Sequence, residues 1–156
     1  MTVRFACEKD IPQMNSLHYQ VERVHQQGRP DLFKEGAKKY TDNELKDMLK
    51  DKTKPIFAAV DENDVMKGYA FCVFQEHKDD NVLTDIKTLY IDDLCVDENC
   101  RGQHIGSALY KEVKKFAEEQ GCYNVTLNVW ECNPSARKFY EKAGLKPYKT
   151  GMEVIL

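Results

Sequence analysis

The sequence predicts one α/β domain spanning residues 1–156, in which helices flank a mixed sheet that is mostly antiparallel and ends in a parallel pair of strands. Three observations predict this class. The hydrophobic period changes from helical to strand-like near residue 56 and returns to helical after residue 100. A strand, a helix and a second strand then follow in the pattern of a parallel crossover. With 156 residues, of which 42% are hydrophobic, the chain can bury one sizeable core.

The first 55 residues are predicted to form one short strand and two helices. Residues 3–7 alternate between apolar and polar side chains, as a strand does. Asp10 is predicted to cap a helix whose apolar side chains recur at helical spacing and which ends before Gly28. Thr41 or Asp42 begins a second, shorter helix, which the breaker-rich residues 50–55 end.

Three strands are predicted between residues 56 and 96. Residues 56–61, 68–77 and 88–96 are rich in Val, Ile, Phe and Tyr, and polar turns separate them. Connections of this kind favour an antiparallel meander.

The last third of the chain is predicted to form a helix, a strand, a second helix and a closing strand. After Cys100 the helical spacing returns until Gly121, and residues 124–130 form a strand. Asn133 is the predicted N-cap of the second helix because proline follows it, and Gly144 is placed to end that helix. Residues 147–156 are predicted to close the sheet.

The sequence contains neither a membrane-span pattern nor a secretion-signal pattern. We therefore expect a cytoplasmic protein with no membrane partner. The six cysteines need not pair in a chain of this size without a secretion signal. Cys95, Cys100 and His104 lie close together in the sequence, but no second ligand pair follows at zinc spacing, so no metal site is predicted.

The net charge of −3 conceals an uneven distribution. Residues 1–60 carry a net charge of +2, residues 61–100 carry −8, and residues 101–156 carry +3. The acidic middle segment repels nucleic acid and attracts cations, whereas the last third can accept an anionic group. We therefore expect no nucleic-acid partner and a cationic substrate. Ordinary solvated loops and helix faces are the alternative explanation of the same pattern.

The most informative segment covers residues 89–109, where a strand leads through a glycine-containing turn into a helix. Such a turn collects unpaired backbone N–H groups and the positive end of the helix dipole, so it can hold a phosphate. It lacks the G-x-G-x-x-G pattern of dinucleotide-binding proteins and the Gly-Lys-Ser/Thr of a Walker loop. It is therefore a candidate anion site of another kind.

Two motifs in this region resemble the acetyl-CoA-binding motifs of the GNAT superfamily of N-acetyltransferases. The first is Arg101-Gly102-Gln103-His104-Ile105-Gly106, preceded by Leu94-Cys95-Val96, and the second runs from Asn133 to Leu145. Both motifs occur in the family's order and spacing, and the predicted order of helices and strands is also the family's. Residues 90–94 further resemble spermidine/spermine (diamine) acetyltransferases, which carry a pair of acids at this place.

The resemblance implies a GNAT fold, acetyl-CoA as the acetyl donor and coenzyme A as a product. It implies that the turn after Arg101 wraps the pyrophosphate with backbone amides, and that the strand around Leu94 pairs with the pantetheine arm beside a splayed parallel strand. Tyr140 matches the tyrosine that protonates the departing thiolate. The implied coenzyme-binding residues are Leu94, Cys95, Val96, Arg101, Gly102, Gln103, His104, Ile105, Gly106, Ser107, Asn133, Ser135, Ala136 and Tyr140.

His104 stands where the family usually has a glycine, which lets the backbone approach the phosphate closely. Two interpretations are open. Either the imidazole donates a hydrogen bond to a phosphate, or the side chain points to solvent at the start of the helix.

Asp92 and Asp93 are, with Tyr140, the candidate catalytic residues. Strand alternation places Asp92 on the same face as Leu94, and Asp93 on the opposite face with Cys95. Either carboxylate can draw a proton from an amine through water, a necessary step because an alkylammonium is neutral only about once in 10³ at pH 7. Alternatively, one acid caps the end of the strand and the other is solvated.

These observations predict an N-acetyltransferase that moves an acetyl group from acetyl-CoA to a primary amine of a small cationic molecule by direct attack in a ternary complex. A peptide or protein acetyltransferase and a non-catalytic CoA-binding regulatory module are the alternatives. The acceptor groove is expected from residues 15–45 and 76–87. A homodimer is expected from the family's habit and from the apolar closing strand.

Overall fold

The computed structural model describes residues 1–156 as helices packed around a five-stranded sheet. The strands are β1 (Thr2–Phe5), β2 (Ile56–Val60), β3 (Met66–Glu76), β4 (Lys87–Val96) and β5 (Asn124–Leu127). The helices are α1 (Ile11–Gly28), α2 (Asp42–Lys50), α3 (Ile105–Glu119) and α4 (Pro134–Lys142), with short 3₁₀ turns at Glu8–Asp10 and Glu98–Cys100.

The strands lie in the sheet in sequence order, from β1 to β5. The first four strands are antiparallel to their neighbours, and β5 runs parallel to β4. Because α3 connects β4 to β5, this parallel pair is the predicted crossover. The predicted mixed α/β class is confirmed.

Helices cover both faces of the sheet. On one face α1 and α2 bury Met14 and Leu45 against Phe71 of β3. On the other face α3 packs Leu109 and its neighbours against β2, β3 and β4. Every residue of β2 is buried because both of its faces are covered.

Local sequence signals determine two of the helix starts. The Thr41 hydroxyl accepts a hydrogen bond from the Glu44 N–H at 3.2 Å, while the Glu44 carboxylate accepts one from the Thr41 N–H at 2.6 Å. Asn133 accepts a hydrogen bond from the Ala136 N–H at 3.3 Å. Each cap satisfies an amide that the first helical turn leaves unpaired.

Asp10 stands at the predicted N-cap position of α1, but the expectation that its side chain caps the helix is wrong. Its buried carboxylate accepts hydrogen bonds from the Arg4 guanidinium at 2.8 and 2.9 Å and from the Cys7 N–H at 2.8 Å. Burial alone would raise the pKa of Asp10, but these hydrogen bonds lower it below its usual value. The side chain is engaged in joining β1 to the start of α1, which leaves it unavailable as a cap.

Two strand predictions are also wrong. β5 ends at Leu127, three residues before the predicted end. Residues 147–156, the predicted closing strand, lie outside any strand and expose Val154 and Ile155, whose exposed fractions are 80% and 77%. A strand needs a hydrogen-bonded neighbour, and this segment finds none within its own chain.

No helix in the fold combines the length and the apolar character that crossing a membrane requires. All six cysteines are free thiols. No cluster of three or more His, Cys, Asp or Glu side chains is arranged to hold a metal ion.

Candidate active site

The parallel ladder between β4 and β5 is short, and the gap beyond it forms the candidate site. Only four residue pairs join the two strands, the last being Ile91 with Leu127. β4 continues against β3 as far as Val96, whereas the chain leaves β5 after Leu127. From residue 92 to residue 96, the edge of β4 that faces away from β3 therefore has no strand partner. Its backbone groups are free to bind a ligand or water.

A β-bulge in β4 determines where the two candidate acids point. The register between β3 and β4 shifts between Phe71 and Cys72, which leaves Asp92 as the extra residue. The bulge breaks the alternation on which the sequence prediction relied. Asp92 and Asp93 both contact groups of the α1 side, whereas Leu94 packs on the α3 side. The expectation that Asp92 shares a face with Leu94 is therefore wrong.

Asp93 is a buried carboxylate whose side chain is only 10% exposed. Its Oδ2 accepts a hydrogen bond from the Tyr69 hydroxyl at 2.6 Å. Burial raises the pKa of Asp93 to about 6, even though the hydrogen bond from Tyr69 opposes the shift. Such a carboxyl group is mostly ionised at neutral pH and accepts a proton more readily than an ordinary aspartate.

His18 is fully buried next to Asp93. Its Nε2 atom lies 3.9 Å from Asp93 Oδ2, which is beyond hydrogen-bonding distance. The imidazole is surrounded by the rings of Tyr40, Tyr69 and Phe71, and neither ring nitrogen has a hydrogen-bond partner. Burial lowers the pKa of His18 to about 4, so the ring is neutral at pH 7. It brings no positive charge to Asp93.

Asp92 lies closer to the surface than Asp93 and is already paired. Its Oδ2 accepts hydrogen bonds from Lys39 Nζ at 2.9 Å and from the Tyr40 hydroxyl at 3.0 Å. Both partners belong to the irregular segment of residues 29–41 between α1 and α2. Burial raises the pKa of Tyr40 to about 12, so its hydroxyl remains a donor at neutral pH.

Tyr140 of α4 lines the same cleft as Asp93 and Leu94. It is half-buried and belongs to neither core cluster, so it is not a core aromatic residue. Burial, and after it the negative charge of Asp93, raise the pKa of Tyr140. Its hydroxyl therefore stays protonated at neutral pH and is available as a proton donor.

The turn before α3 has the geometry of an anion site. The first backbone hydrogen bond of α3 runs from the Ala108 N–H to the His104 carbonyl at 3.0 Å. The amides of Ile105, Gly106 and Ser107 consequently have no acceptor within the protein. These are the donors that the N-terminus of a helix offers to a phosphate.

The backbone at His104 explains why glycine is usual at this place in the motif. His104 has φ of 61° and ψ of 16°, a left-handed conformation, and Gly102 has φ of 80°. A residue with a Cβ atom pays roughly 1–2 kcal/mol for this conformation, which glycine avoids. The His104 side chain is exposed and does not cap α3, so its ring is not engaged by the protein.

The remaining predicted coenzyme-binding residues lie around the gap. Leu94, Asn133 and Ala136 line the cleft, and the Ser135 hydroxyl donates a hydrogen bond to Asn133 Oδ1 at 3.1 Å. Arg101, Gln103 and Ser107 are exposed on the turn. Leu94, Asn133 and Ala136 therefore border the gap directly, whereas the turn residues precede or begin α3.

Three predicted residues also have a packing role. The Cys95 thiol is buried on the α1 side and donates to the Leu17 carbonyl at 3.5 Å. Gly106 allows α3 to approach α4, because a Cβ atom there would lie 3.3 Å from the Phe139 ring and 3.6 Å from Val96. The side chains of Cys95 and Val96 are engaged in packing. These two residues can therefore offer a ligand only their backbone groups at the gap.

The cleft has a volume of about 470 Å³, which is typical of a small-molecule site. Its remaining lining residues are Val21, Glu22, His25, Phe33, Ala37, Lys39, Tyr90, Ile91, Asp92, Leu127, Asn128, Val129 and Trp130. One wall thus comes from residues 21–39, as predicted for the acceptor groove. Residues 76–87, the other part of the predicted acceptor groove, do not line this cleft.

A second cavity, of about 310 Å³, shares no lining residue with the cleft. Its aromatic lining consists of Phe5, Phe74 and Phe116, beside Pro55. None of the candidate catalytic or coenzyme-binding residues borders this cavity. The candidate active site is therefore the cleft beside β4.

Sequence reasoning missed Lys39, Tyr40 and Tyr69. Each contacts one of the paired acids, yet they lie 53, 52 and 24 positions away from it. No local pattern marks a residue that reaches a carboxylate only through the fold. Lys39 and Tyr40 lie within residues 15–45 of the predicted acceptor groove, but only the acidic pair was identified by residue, and it gave one partner of each contact.

The chain matches the Acetyltransferase (GNAT) family over residues 20–145. The matched region contains the β4–β5 gap, the turn before α3, and α4. The fold and this match define the GNAT class of proteins, whose acetyltransferases use acetyl-CoA as the acetyl donor. The chain belongs to the Acetyltransferase (GNAT) family.

Curated relatives match only part of their length. The chain is similar to the probable glucosamine 6-phosphate N-acetyltransferase 2 of Oryza sativa subsp. japonica, with 34% identity over 58 residues, covering 37% of this chain and 33% of that protein. It is also similar to the thialysine N-epsilon-acetyltransferase of Bos taurus, with 34% identity over 58 residues, covering 37% of this chain and 34% of that protein. The chain spans less than half the length of the curated relatives it matches.

A solved structure matches along the whole chain. A tetramutant of the BH1408 protein from Bacillus halodurans superposes with a TM-score of 0.95 at 26% identity, covering 100% of both chains. The C-terminal segment of residues 147–156 is included in that match.

We predict that Asp93→Asn stabilises the protein at pH 8. The folded pKa of Asp93, about 6, exceeds its ordinary value, so the folded state binds the proton more tightly. Protonation of Asp93 therefore makes its full contribution to the free energy of unfolding below about pH 4. This contribution is lost as the pH rises through 6. Asparagine carries no charge and still accepts the Tyr69 hydrogen bond, so the gain at pH 8 should approach about 3 kcal/mol and shrink at pH 4.

Urea unfolding of both proteins at pH 4 and pH 8 measures this effect. Asp92→Asn is the matched control, and it should bring no such gain because Asp92 is paired with Lys39. An Asp93→Asn protein that is less stable than the parent at pH 8 would contradict the inferred pKa.

Proposed function

We propose that this chain transfers the acetyl group of acetyl-CoA to a primary amine of a small cationic molecule, by direct attack in a ternary complex. The observation that carries the proposal is the gap beside β4, where Asp92, Asp93 and Tyr140 surround unpaired backbone groups. Membership in the GNAT family supports acetyl transfer. Glucosamine 6-phosphate and thialysine, which appear in the names of two relatives, are both primary amines.

The chain's own residues fit acetyl-CoA at two places. The free amides of Ile105, Gly106 and Ser107 suit the pyrophosphate, and exposed Arg101 adds a positive charge beside them. The open edge of β4 over residues 94–96 suits the amide groups of the pantetheine arm, since it offers N–H and C=O groups without a strand partner. When bound, acetyl-CoA supplies the activated thioester. Asn133, Ser135 and Ala136 flank the site at the start of α4.

Asp92 and Asp93 have different roles toward the acceptor amine: one binds its ammonium and the other removes a proton from it. The cleft is lined by three carboxylates, those of Glu22, Asp92 and Asp93, and by the single ammonium of Lys39, so it attracts cations. Asp92 is the more accessible acid and binds the ammonium. Asp93, whose pKa of about 6 suits a base at neutral pH, takes the proton before or during attack.

Tyr140 supplies the proton that the leaving thiolate needs. Its raised pKa keeps the hydroxyl protonated, and no group of the protein accepts a hydrogen bond from it. A backbone amide near Leu94 stabilises the negative charge that forms on the acetyl oxygen. Both groups are held in place by strand or helix, which lowers the entropic cost of reaching the transition state.

The size of the cleft supports a small acceptor over a polypeptide. Its volume of about 470 Å³ accommodates the amine-bearing part of a small molecule beside the acetyl group. Aromatic side chains of Phe33, Tyr90 and Trp130 line the same space and can pack against an alkylammonium.

We predict that Tyr140→Phe lowers kcat by roughly 10²-fold or more, the scale of general-acid catalysis. The affinity for acetyl-CoA and the melting temperature should stay close to those of the parent, because only a hydroxyl without a hydrogen bond is removed. Release of coenzyme A is measured with a panel of polyamines, amino acids, aminoglycosides, amino sugars and short peptides. Calorimetry gives the affinity for acetyl-CoA.

Tyr123→Phe is the matched control, because Tyr123 is exposed away from the cleft. It should leave kcat unchanged. A Tyr140→Phe protein with kcat within about threefold of the parent would exclude the acid role. A panel without any amine-dependent release of coenzyme A would exclude the transferase itself.

We propose further that the chain forms a homodimer through its C-terminal segment. Residues 147–156 form neither helix nor strand, and Met152, Val154 and Ile155 are exposed. β5 is the last strand of the sheet, so its outer edge has no neighbour. An apolar segment outside any strand can pair with an open sheet edge, and in a two-fold dimer each copy offers both to its partner.

We predict that removing residues 152–156 converts the dimer into a monomer. Light scattering at micromolar concentration should give twice the chain mass of 18.1 kDa for the parent and the mass of one shortened chain for the truncated protein. Val82→Asp is the control, because Val82 is an exposed apolar residue outside this segment. A parent protein that is monomeric under these conditions would rule out the dimer.

A further inference from the structure

The irregular segment between α1 and α2 places the ammonium of its own Lys39 in the acceptor cleft. Lys39 Nζ lies 2.9 Å from Asp92 Oδ2, and the Tyr40 hydroxyl lies 3.0 Å from the same oxygen. Lys39 also lines the cleft together with Asp93 and Tyr140. The pair is partly shielded, with side-chain exposures of 32% for Lys39 and 28% for Asp92.

The neighbouring lysine shows that this placement is specific. Lys38 Nζ pairs with Asp42 at the start of α2, at 2.7 Å, and does not line the cleft. Burial alone would lower the pKa of Lys39, but the hydrogen bond to Asp92 and the charges of both acids raise it. Lys39 is therefore a fully charged primary alkylammonium bound to the acid that meets the acceptor.

A lysine ammonium and the ammonium of a small primary amine are the same chemical group, with three N–H donors and one positive charge. Only one of them can occupy the position against Asp92 Oδ2. Exchange does not leave the partly buried carboxylate unpaired, and Lys39 can turn into water, because residues 29–41 form neither helix nor strand. A tethered group of this kind competes as though it were present at about millimolar concentration.

Resting on the proposed function, we propose that Asp92 and Tyr40 form the subsite for the ammonium of the acceptor, and that Lys39 occupies this subsite as an internal competitor. The ligand class is a primary alkylammonium. Every external acceptor must displace Lys39, which makes Lys39 a determinant of how tightly amines bind.

We predict that Lys39→Met tightens the binding of butylamine to the coenzyme-free protein about tenfold, as measured by calorimetry, since the competitor is gone and the carboxylate remains. KM for butylamine should fall by a similar factor with kcat nearly unchanged. Lys39→Arg keeps a cation on the segment and should stay closer to the parent than Lys39→Met does. Lys38→Met is the matched control and should bind butylamine like the parent.

Weaker butylamine binding in Lys39→Met would overturn the proposal, because it would show that Lys39 helps to hold the ligand. Equal binding in Lys39→Met and the parent, or an equal gain in Lys38→Met, would overturn it as well. Lys39→Gln is the second variant if Lys39→Met does not fold. Because calorimetry needs no turnover, absence of acetyl transfer with tightened binding would reject the proposed function and leave the subsite standing.

Discussion

The structure depends on one interruption of a β-ladder. β4 and β5 share only four residue pairs, and beyond Ile91 and Leu127 the strands separate. A buried strand edge without a partner is costly unless water or a ligand satisfies its backbone groups, so this gap has to be a solvent-filled site. The cleft, the turn before α3 and the first turn of α4 all border it. The acceptor and the donor can therefore meet along one strand.

The same strand gives two adjacent carboxylates different properties. The bulge at Asp92 turns both side chains to the α1 side, but at different depths. Asp93 is buried against Tyr69, and its pKa rises to about 6 because its charge is poorly solvated. Asp92 remains accessible and paired with a cation. One acid suits proton transfer and the other suits the binding of an ammonium, because burial raises the pKa of Asp93 while Asp92 stays more accessible.

Local signals in the sequence predicted most of the fold. Hydrophobic period, the Thr41 and Asn133 caps and the motif around Arg101 each act over a few residues, and the predicted elements agree with the structure. The bulge at Asp92 was not predictable, because it arises from the register with β3. The Asp10 side chain and the C-terminal segment differ from the prediction for the same reason. Their conformations depend on Arg4 and on the absence of a partner strand, which are properties of the assembled fold.

The central claim is that the open edge of β4 and the start of α3 bind the donor together. The most direct test is the titration of coenzyme A into isotope-labelled protein, with the backbone amide shifts measured by NMR. Shifts should be largest at residues 94–96 and 105–107, on both sides of the gap. Shifts concentrated around the second cavity, at Phe5, Phe74 and Phe116, with residues 94–96 unchanged, would contradict it.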